Sequence, residues 1–393
     1  MNNFVFNKKT EFIFGTDAEN RAGELLTKYG ATKVLIHYGQ QSVVKSGLLG
    51  RIEKSLTASN IDFVKLGGVV PNPLASLVYE GITLCRESGV DFILAVGGGS
   101  VIDSAKAISV GAKFDGDFWD LFMKKNVAQS GIPVATVLTI PAAGSEVSGS
   151  SVITKNATAT EPALKRGLSS EFMKPVFSLM NPALTYTLPK EQTAYGVADM
   201  MSHIFERYFT NTQGVEITDG LCETLLRTII KFAPIAIKDP TNEEARANIM
   251  WAGTLAHDGS VGVGREEDWG SHMLEHELSA LYDVPHGAGL AVIFPNWMKY
   301  NMAHDLDRFV RFAVNVWGVE NTGTKESIAL KGIEALQAFW SSLGLPLTFD
   351  ELGAKKEDID TLINVLQINT GGTFSNFVKL DMGDAKKIYE LAI

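Results

Sequence analysis

DFILAVGGGSVIDSAKA, residues 91–107, reads as a buried strand that runs into three glycines and then a helix. The run Phe92–Val96 is short and wholly apolar, as in a strand covered on both faces. Ser100 is placed to cap the helix that follows. Glycines let a ligand approach the main chain, and a helix start offers free N–H groups and partial positive charge. That geometry suits a pyrophosphate. The plainer alternative is an ordinary strand-to-helix turn, and one Gly-rich turn does not decide between them.

The surrounding sequence extends the pattern. KVLIHY (33–38) is followed by the helix-like VVKSGLLGRIEKSL, and IDFVKLGG (61–68) precedes a helical stretch at 75–88. PVATVLTI (133–140) follows a Gly131-Ile132-Pro133 break. Apolar strands joined by helices predict a parallel sheet covered on both faces. YGQQS (38–42), PNP (71–73) and TIPAAGSEVSGSS (139–151) bring small and hydroxyl-bearing residues to neighbouring strand ends. In a doubly wound sheet these gather at one edge, where a dinucleotide would lie. The spacing is not G-x-G-x-x-G.

From about Leu188 the period becomes helical, in EQTAYGVADMMSHIFERYF, DGLCETLLRTIIKFAPIAI, EEARANIMWAGTLA and KESIALKGIEALQAFWSSLG. The reading is a chain of two domains, α/β and nucleotide-binding over 1–185, all-α and metal-binding over 186–393. No repeat or low-complexity linker separates them, which makes the cleft between domains the expected place for a site. With 45% apolar and 20% charged residues the composition is that of a globular enzyme. The net charge of −10 and the lack of a basic run argue against nucleic acid as a partner. No apolar window is long enough for a membrane span. MNNFVFNKKTEFIFG at the start reads as an opening strand, not a signal peptide. Cys85 and Cys222 read as small buried apolar residues, the pattern of a reducing cytoplasm.

Three of the seven histidines fall in DWGSHMLEHELSALYDVPHG (268–287). His272 and His276 are one helical turn apart, and His286 follows the helix end expected at Asp283–Pro285. Asp199 and His203 show the same spacing upstream, which puts both on one helix face. Imidazole and carboxylate donors in this mixture suit Zn²⁺ or Fe²⁺. Spacing does not say which four of the five bind, and taken alone it selects both His272 and His276. His37, His257 and His304 read as ordinary surface, capping or core residues.

GGGSVIDSAKA, the TIPAAGSE run, GVADMMSHIFE and SHMLEHELSALYDVPHGAGLA together resemble the iron-containing (group III) alcohol dehydrogenases, closest to the branch of butanol dehydrogenases and NADPH-dependent aldehyde reductases. The likeness spans essentially the whole chain. It implies a Rossmann-like N-terminal domain and a helical C-terminal domain, the dehydroquinate synthase-like fold, with NAD(P) and one divalent metal in the cleft. The family's ligand motif falls on Asp199, His203, His272 and His286, and His276 matches its non-ligand histidine beside the metal. Nucleotide-contacting positions carry over to Gly39 and Ser42, to Asn72, to Gly98, Gly99, Ser100 and Asp103, and to Thr139, Ser145, Ser151 and Lys165. The sequence departs from the family at Gln40 and Gln41 (glycines), Ala143 (threonine) and Asn181 (aspartate), none of them a ligand.

The implied activity is NAD(P)-linked interconversion of short- or medium-chain primary alcohols and aldehydes, with His276 relaying a proton. Glu206 and Glu277 are candidates to support the ligands. A lyase or cyclase of the dehydroquinate synthase type would need extra cations for a substrate phosphate, whereas GSVGVG and WG near 259–270 suggest an uncharged pocket. A hydrolase would have no use for the Gly-rich turns, and a non-catalytic nucleotide-binding protein would have none for the five-residue constellation. Between Gly39 and Ile52 there is no acid to hold a free ribose 2′-hydroxyl, while Ser42 and Lys45 suit a 2′-phosphate. NADP is therefore expected to be preferred modestly over NAD. A homodimer is expected.

Overall fold

Six parallel strands form the main sheet in the order β1-β8-β5-β4-β2-β3: β1 Glu11–Phe14, β2 Lys33–Tyr38, β3 Asp62–Leu66, β4 Phe92–Gly97, β5 Val134–Leu138 and β8 Phe177–Met180. Every residue of β4 is buried. Its alternate residues Phe92, Leu94 and Val96 join Val34, Ile36, Ala135 and Val137 in a core completed by helices α1 (Ala22–Lys28) and α3 (Leu48–Ala58). The opposite face carries His37, whose Nε2 meets Ser104 Oγ at 2.8 Å on α5 (Gly99–Ala112). α4 (Ala75–Ser88) packs against α5. Both faces are thus covered, which is why these strands are continuous apolar runs and not alternating ones.

β2 leads outward to β3, while β4 leads the other way to β5. The winding reverses between β2 and β4, so the ends of these adjacent strands form the switch point where open α/β sheets bind ligands.

The computed structural model describes residues 1–393. Asn7–Thr187 makes one compact unit, and Leu188–Ile393 together with Met1–Phe6 makes the other. The first residues thus do not belong to the opening strand. Asn2 N donates to Gly264 O at 2.8 Å, and only Glu11–Phe14 pairs in the sheet. Two more expectations are corrected. The helix-like stretch after β2 is divided into a single turn, α2 (Ser42–Lys45), and α3, because Gly47 between them sits at φ 73°. Ser100 is not the cap of α5. Gly98, in extended conformation, takes that position, and Gly99 already begins the helix. An antiparallel hairpin, β6 (Ser150–Lys155) with β7 (Leu164–Ser169), was not apparent in the sequence.

The first unit also carries the short α6 (Trp119–Phe122). The second unit is built from α7 (Lys190–Tyr208), α8 (Glu216–Lys238), α9 (Glu243–His257), α10 (Gly270–Tyr282), α11 (His286–Asn301), α12 (Leu306–Trp317), α13 (Lys325–Ser342), α14 (Phe349–Leu352), α15 (Ile359–Thr370) and α16 (Met382–Glu390). Its only strands are the two-residue β9 (Thr373–Phe374) and β10 (Leu380–Asp381). Phe205, Phe294, Trp297, Phe312 and Trp340 fill its centre. Burying each such side chain contributes roughly 1.5–3 kcal/mol, so this unit has a core of its own. No helix is long and apolar enough to cross a membrane. Both cysteines are buried and unpaired, and burial pushes their thiols up to about 12.

Candidate functional site

Three helices bring the acid and the histidines together. Asp199 and His203 project from one face of α7, His272 and His276 from α10, and His286 is the first residue of α11. α10 stops at Tyr282 because Asp283 adopts φ 52°, and Pro285 then takes the N-cap position before α11. α11 lies unusually close to both neighbours. A Cβ on Gly287 would stand 2.0 Å from the Tyr195 carbonyl oxygen of α7, and one on Gly289 would stand 2.7 Å from Glu275 Oε1 of α10. Side chains at these positions would push α11 outward and take His286 away from Asp199.

One donor atom from each of Asp199, His272 and His286 falls within 4.8 Å of the other two. His286 Nε2 is 3.8 Å from Asp199 Oδ1. His203 flanks this trio, with Nδ1 3.4 Å from the same oxygen and its ring centroid 4.8 Å from that of His272. His272 Nδ1 meets Glu206 Oε1 at 2.7 Å, and His286 Nδ1 meets Glu275 Oε2. A carboxylate accepts, so each Nδ1 carries the proton and each Nε2 offers a lone pair. Burial holds His203 well below the ordinary imidazole range, with His257 next in effect, so it too is neutral. Neutral imidazoles beside one carboxylate form the donor set of a divalent transition metal, and the residues fit that group.

His276 stands apart from the trio. It is partly exposed, its ring centroid lies 5.6 Å from that of His286, and it groups instead with Glu275 and His286. The Glu275 carboxylate in that group already accepts from His286 and from Ser279.

The acids that accept from the Nδ1 atoms of His272 and His286 are Glu206 and Glu275. Glu277 accepts from Asn369 Nδ2 at 2.8 Å. Glu206 also accepts from the main-chain N–H groups of Trp269 and His272; burial pushes its carboxyl up, and these two bonds oppose that by favouring the charged form. His257, passed over in the sequence, has its ring centroid 4.4 Å from that of His203 and its Nδ1 3.2 Å from Arg207 Nη2. Arginine only donates, so His257 Nδ1 accepts. His37 is the expected core histidine, and His304 is exposed beside Asn211. The stretch around Trp269 is less bland than expected. Arg207 lies 4.8 Å from the Trp269 ring centre and pairs with Glu267, while Arg265 pairs with buried Asp219.

In the other unit, five of the remaining candidates sit at the switch point. Gly39 follows β2, Gly98, Gly99 and Ser100 follow β4, and Thr139 follows β5, on three adjacent strands. A Cβ on Gly99 would meet that of Ala143 at 3.1 Å, so the segment after β5 approaches the start of α5 closely. Ser42 and Lys45 are exposed on α2. Asn72, at φ 51°, accepts from Lys165 Nζ at 3.1 Å. Asp103 accepts from Ser145 Oγ at 2.5 Å and from Val152 N at 2.9 Å, and its carbonyl accepts from Ser151 Oγ at 2.8 Å. Asn181 caps the turn after β8 and donates to Glu19.

Comparisons with known proteins place the whole chain in one family. Residues 9–182 match the family model for iron-containing alcohol dehydrogenase, and residues 193–393 match that for the C-terminal part of the Fe-containing alcohol dehydrogenase family. The probable NADH-dependent butanol dehydrogenase 1 of Bacillus subtilis (strain 168) is 42% identical over all of both chains. The NADPH-dependent aldehyde reductase YqhD of Escherichia coli (strain K12) is 34% identical, again over all of both. The crystal structure of NADH-dependent butanol dehydrogenase A from Thermotoga maritima superposes with a TM-score of 0.96 at 40% identity, covering 100% of this chain and 99% of that one. The chain belongs to the iron-containing alcohol dehydrogenase family.

Proposed function

We propose that this protein is an NAD(P)-dependent alcohol dehydrogenase and aldehyde reductase acting on short- or medium-chain primary alcohols and aldehydes, with a divalent metal, Fe²⁺ or Zn²⁺, held by Asp199, His203, His272 and His286. The observation that carries this reading is the Asp199–His272–His286 cluster, with both histidines backed by buried carboxylates. When bound, the metal supplies Lewis acidity toward a substrate oxygen, and the nicotinamide gives or takes the hydride.

The chain's own residues do the rest. Glu206 and Glu275 fix the tautomer of His272 and His286 and hold each ring in place. Burial of His203 keeps its lone pair available. His276, partly exposed, carries the proton that the substrate oxygen gains on reduction and loses on oxidation. Gly98 and Gly99 open the start of α5 to the pyrophosphate, while Ser42 and Lys45 meet the adenosine ribose. Their character supports a modest preference for NADPH, a choice on which the relatives named above divide. β1 is an edge strand ending in the exposed Phe14, which supports assembly as a homodimer. The buried free thiols support a cytoplasmic location.

The test is absorbance at the nicotinamide band with a panel of aldehydes, both cofactors and defined Fe²⁺ or Zn²⁺. The reading expects oxidation of the reduced nucleotide with unphosphorylated aldehydes. A strict requirement for a phosphorylated substrate would favour the lyase-type relatives instead.

A further inference from the structure

Lys106 is fully buried in the middle of α5, in a unit whose other lysines lie mainly on the surface. Its ammonium has three N–H donors. They meet three acceptors: Ser145 Oγ at 2.8 Å, Ser148 Oγ at 3.3 Å and the Ser150 carbonyl at 2.8 Å. None is left over for a ligand. All three acceptors belong to the segment that runs from β5 into β6. The same segment is tied to α5 a second time, because Ser145 donates to Asp103 and Val152 N donates to the other Asp103 oxygen. Because Ser145 Oγ accepts from Lys106, its own proton is committed to Asp103. Toward any further partner it is therefore an acceptor only.

We infer that Lys106 is a positioning residue for the nucleotide: it fastens the 145–150 segment to the helix whose first turn receives the pyrophosphate, and so fixes the distance between the two halves of the nucleotide cradle. This rests on the reading of the switch point as the NAD(P) site. Asp103 then belongs to the same fastening and serves the cofactor mainly through Ser145 and Ser151. Burial lowers the Lys106 ammonium to about 8, opposed by attraction from Asp103 and Glu146. A desolvated charge held at that cost is consistent with three fixed bonds that an uncharged side chain could not make.

The experiment measures the dissociation constants of NADPH and NADH by nucleotide fluorescence for the metal-loaded wild-type chain, Lys106→Met, Ser145→Ala and the double variant, with metal content and kcat alongside. Lys106→Met should raise Kd about tenfold or more, with metal content unchanged and kcat at saturating nucleotide within about threefold. The double variant should show less than the product of the single effects, because Lys106 acts through Ser145. A merely structural lysine would give independent effects and lower kcat along with affinity. Should Lys106→Met not fold, Ser148→Ala removes a single acceptor and should still raise Kd by about threefold. Failure of the wild-type chain to bind either nucleotide overturns the functional reading and this inference together. Wild-type binding with unchanged Kd in the variants, or independent effects in the double variant, overturns this inference alone.

Discussion

Replacing Glu206 by Gln perturbs the proposed metal site without touching a proposed ligand. Glu206 Oε1 accepts from His272 Nδ1 at 2.7 Å and His272 N at 3.1 Å, and Oε2 accepts from Trp269 N at 2.8 Å. Glutamine keeps the shape but has one acceptor oxygen and one amide nitrogen. Whichever way it turns, an NH₂ group faces an N–H. If the nitrogen faces His272, the imidazole loses the acceptor that sets its tautomer. If it faces Trp269, the N-terminal turn of α10 loses a bond at the residue that already sits at φ 71°. A hydrogen bond to a charged group is worth about 1.5–3 kcal/mol, which corresponds to roughly 10–100-fold in affinity and to the usual range for a residue supporting a metal-bound histidine. We expect Glu206→Gln to weaken metal binding by that factor, measured by competition with a chromophoric chelator, while circular dichroism stays unchanged. An affinity within twofold of wild type would show that His272 does not depend on Glu206, and the tautomer argument would fall.

Other outcomes follow from the same geometry. His286→Ala should lose metal and turnover with the fold retained, whereas His276→Ala should keep metal, by elemental analysis, and lose about 10²–10⁴-fold in kcat; metal lost from the second and kept by the first would reverse their roles. Lys45→Ala should raise KM for NADPH and scarcely change it for NADH, and a wild-type kcat/KM that favours NADH would contradict the reading of the turn after β2. His37 is lowered from 6.5 to about 4 by burial. The unfolded chain takes that proton first as pH falls, so the stability from this residue is full above 6.5 and declines between 6.5 and about 4. At pH 5 the loss is about 2 kcal/mol, seen as a lower urea midpoint that His37→Gln does not share; equal shifts in both proteins would remove His37 as the cause.

The parts of the fold that the sequence disclosed are those fixed by local period. Phe92–Val96 could only be a covered strand, and 75–88 only a helix. The β6–β7 hairpin was illegible because neither strand alternates: Val152 and Ile153 are adjacent in Ser150–Lys155, and the partner strand Leu164–Ser169 has apolar residues only at Leu164 and Leu168 with Gly167 between. The site divides in the same way. Helical spacing brought out Asp199 with His203 and His272 with His276, but one turn of helix cannot rank two histidines. What separates them is Glu206 behind His272, sixty-six residues away in the chain. Glu275 was hidden for a related reason, since its role depends on α11 approaching α10 across Gly289. That glycine and Gly287, in the His-Gly-Ala-Gly run, were the available signal. His257 had no spacing partner, and only the packing of α9 against α7 places it beside His203.

The central claim is that reduction of an aldehyde by this chain needs both the nicotinamide and a divalent metal at the three-helix cluster. The most direct test follows NADPH and NADH oxidation with butanal in one preparation, first after exhaustive chelation under anaerobic conditions and then after addition of Fe²⁺ or Zn²⁺. The account predicts no oxidation in the stripped protein and turnover restored by metal, with no restoration in His286→Ala. Undiminished turnover after the metal has been removed, verified by elemental analysis, would contradict it.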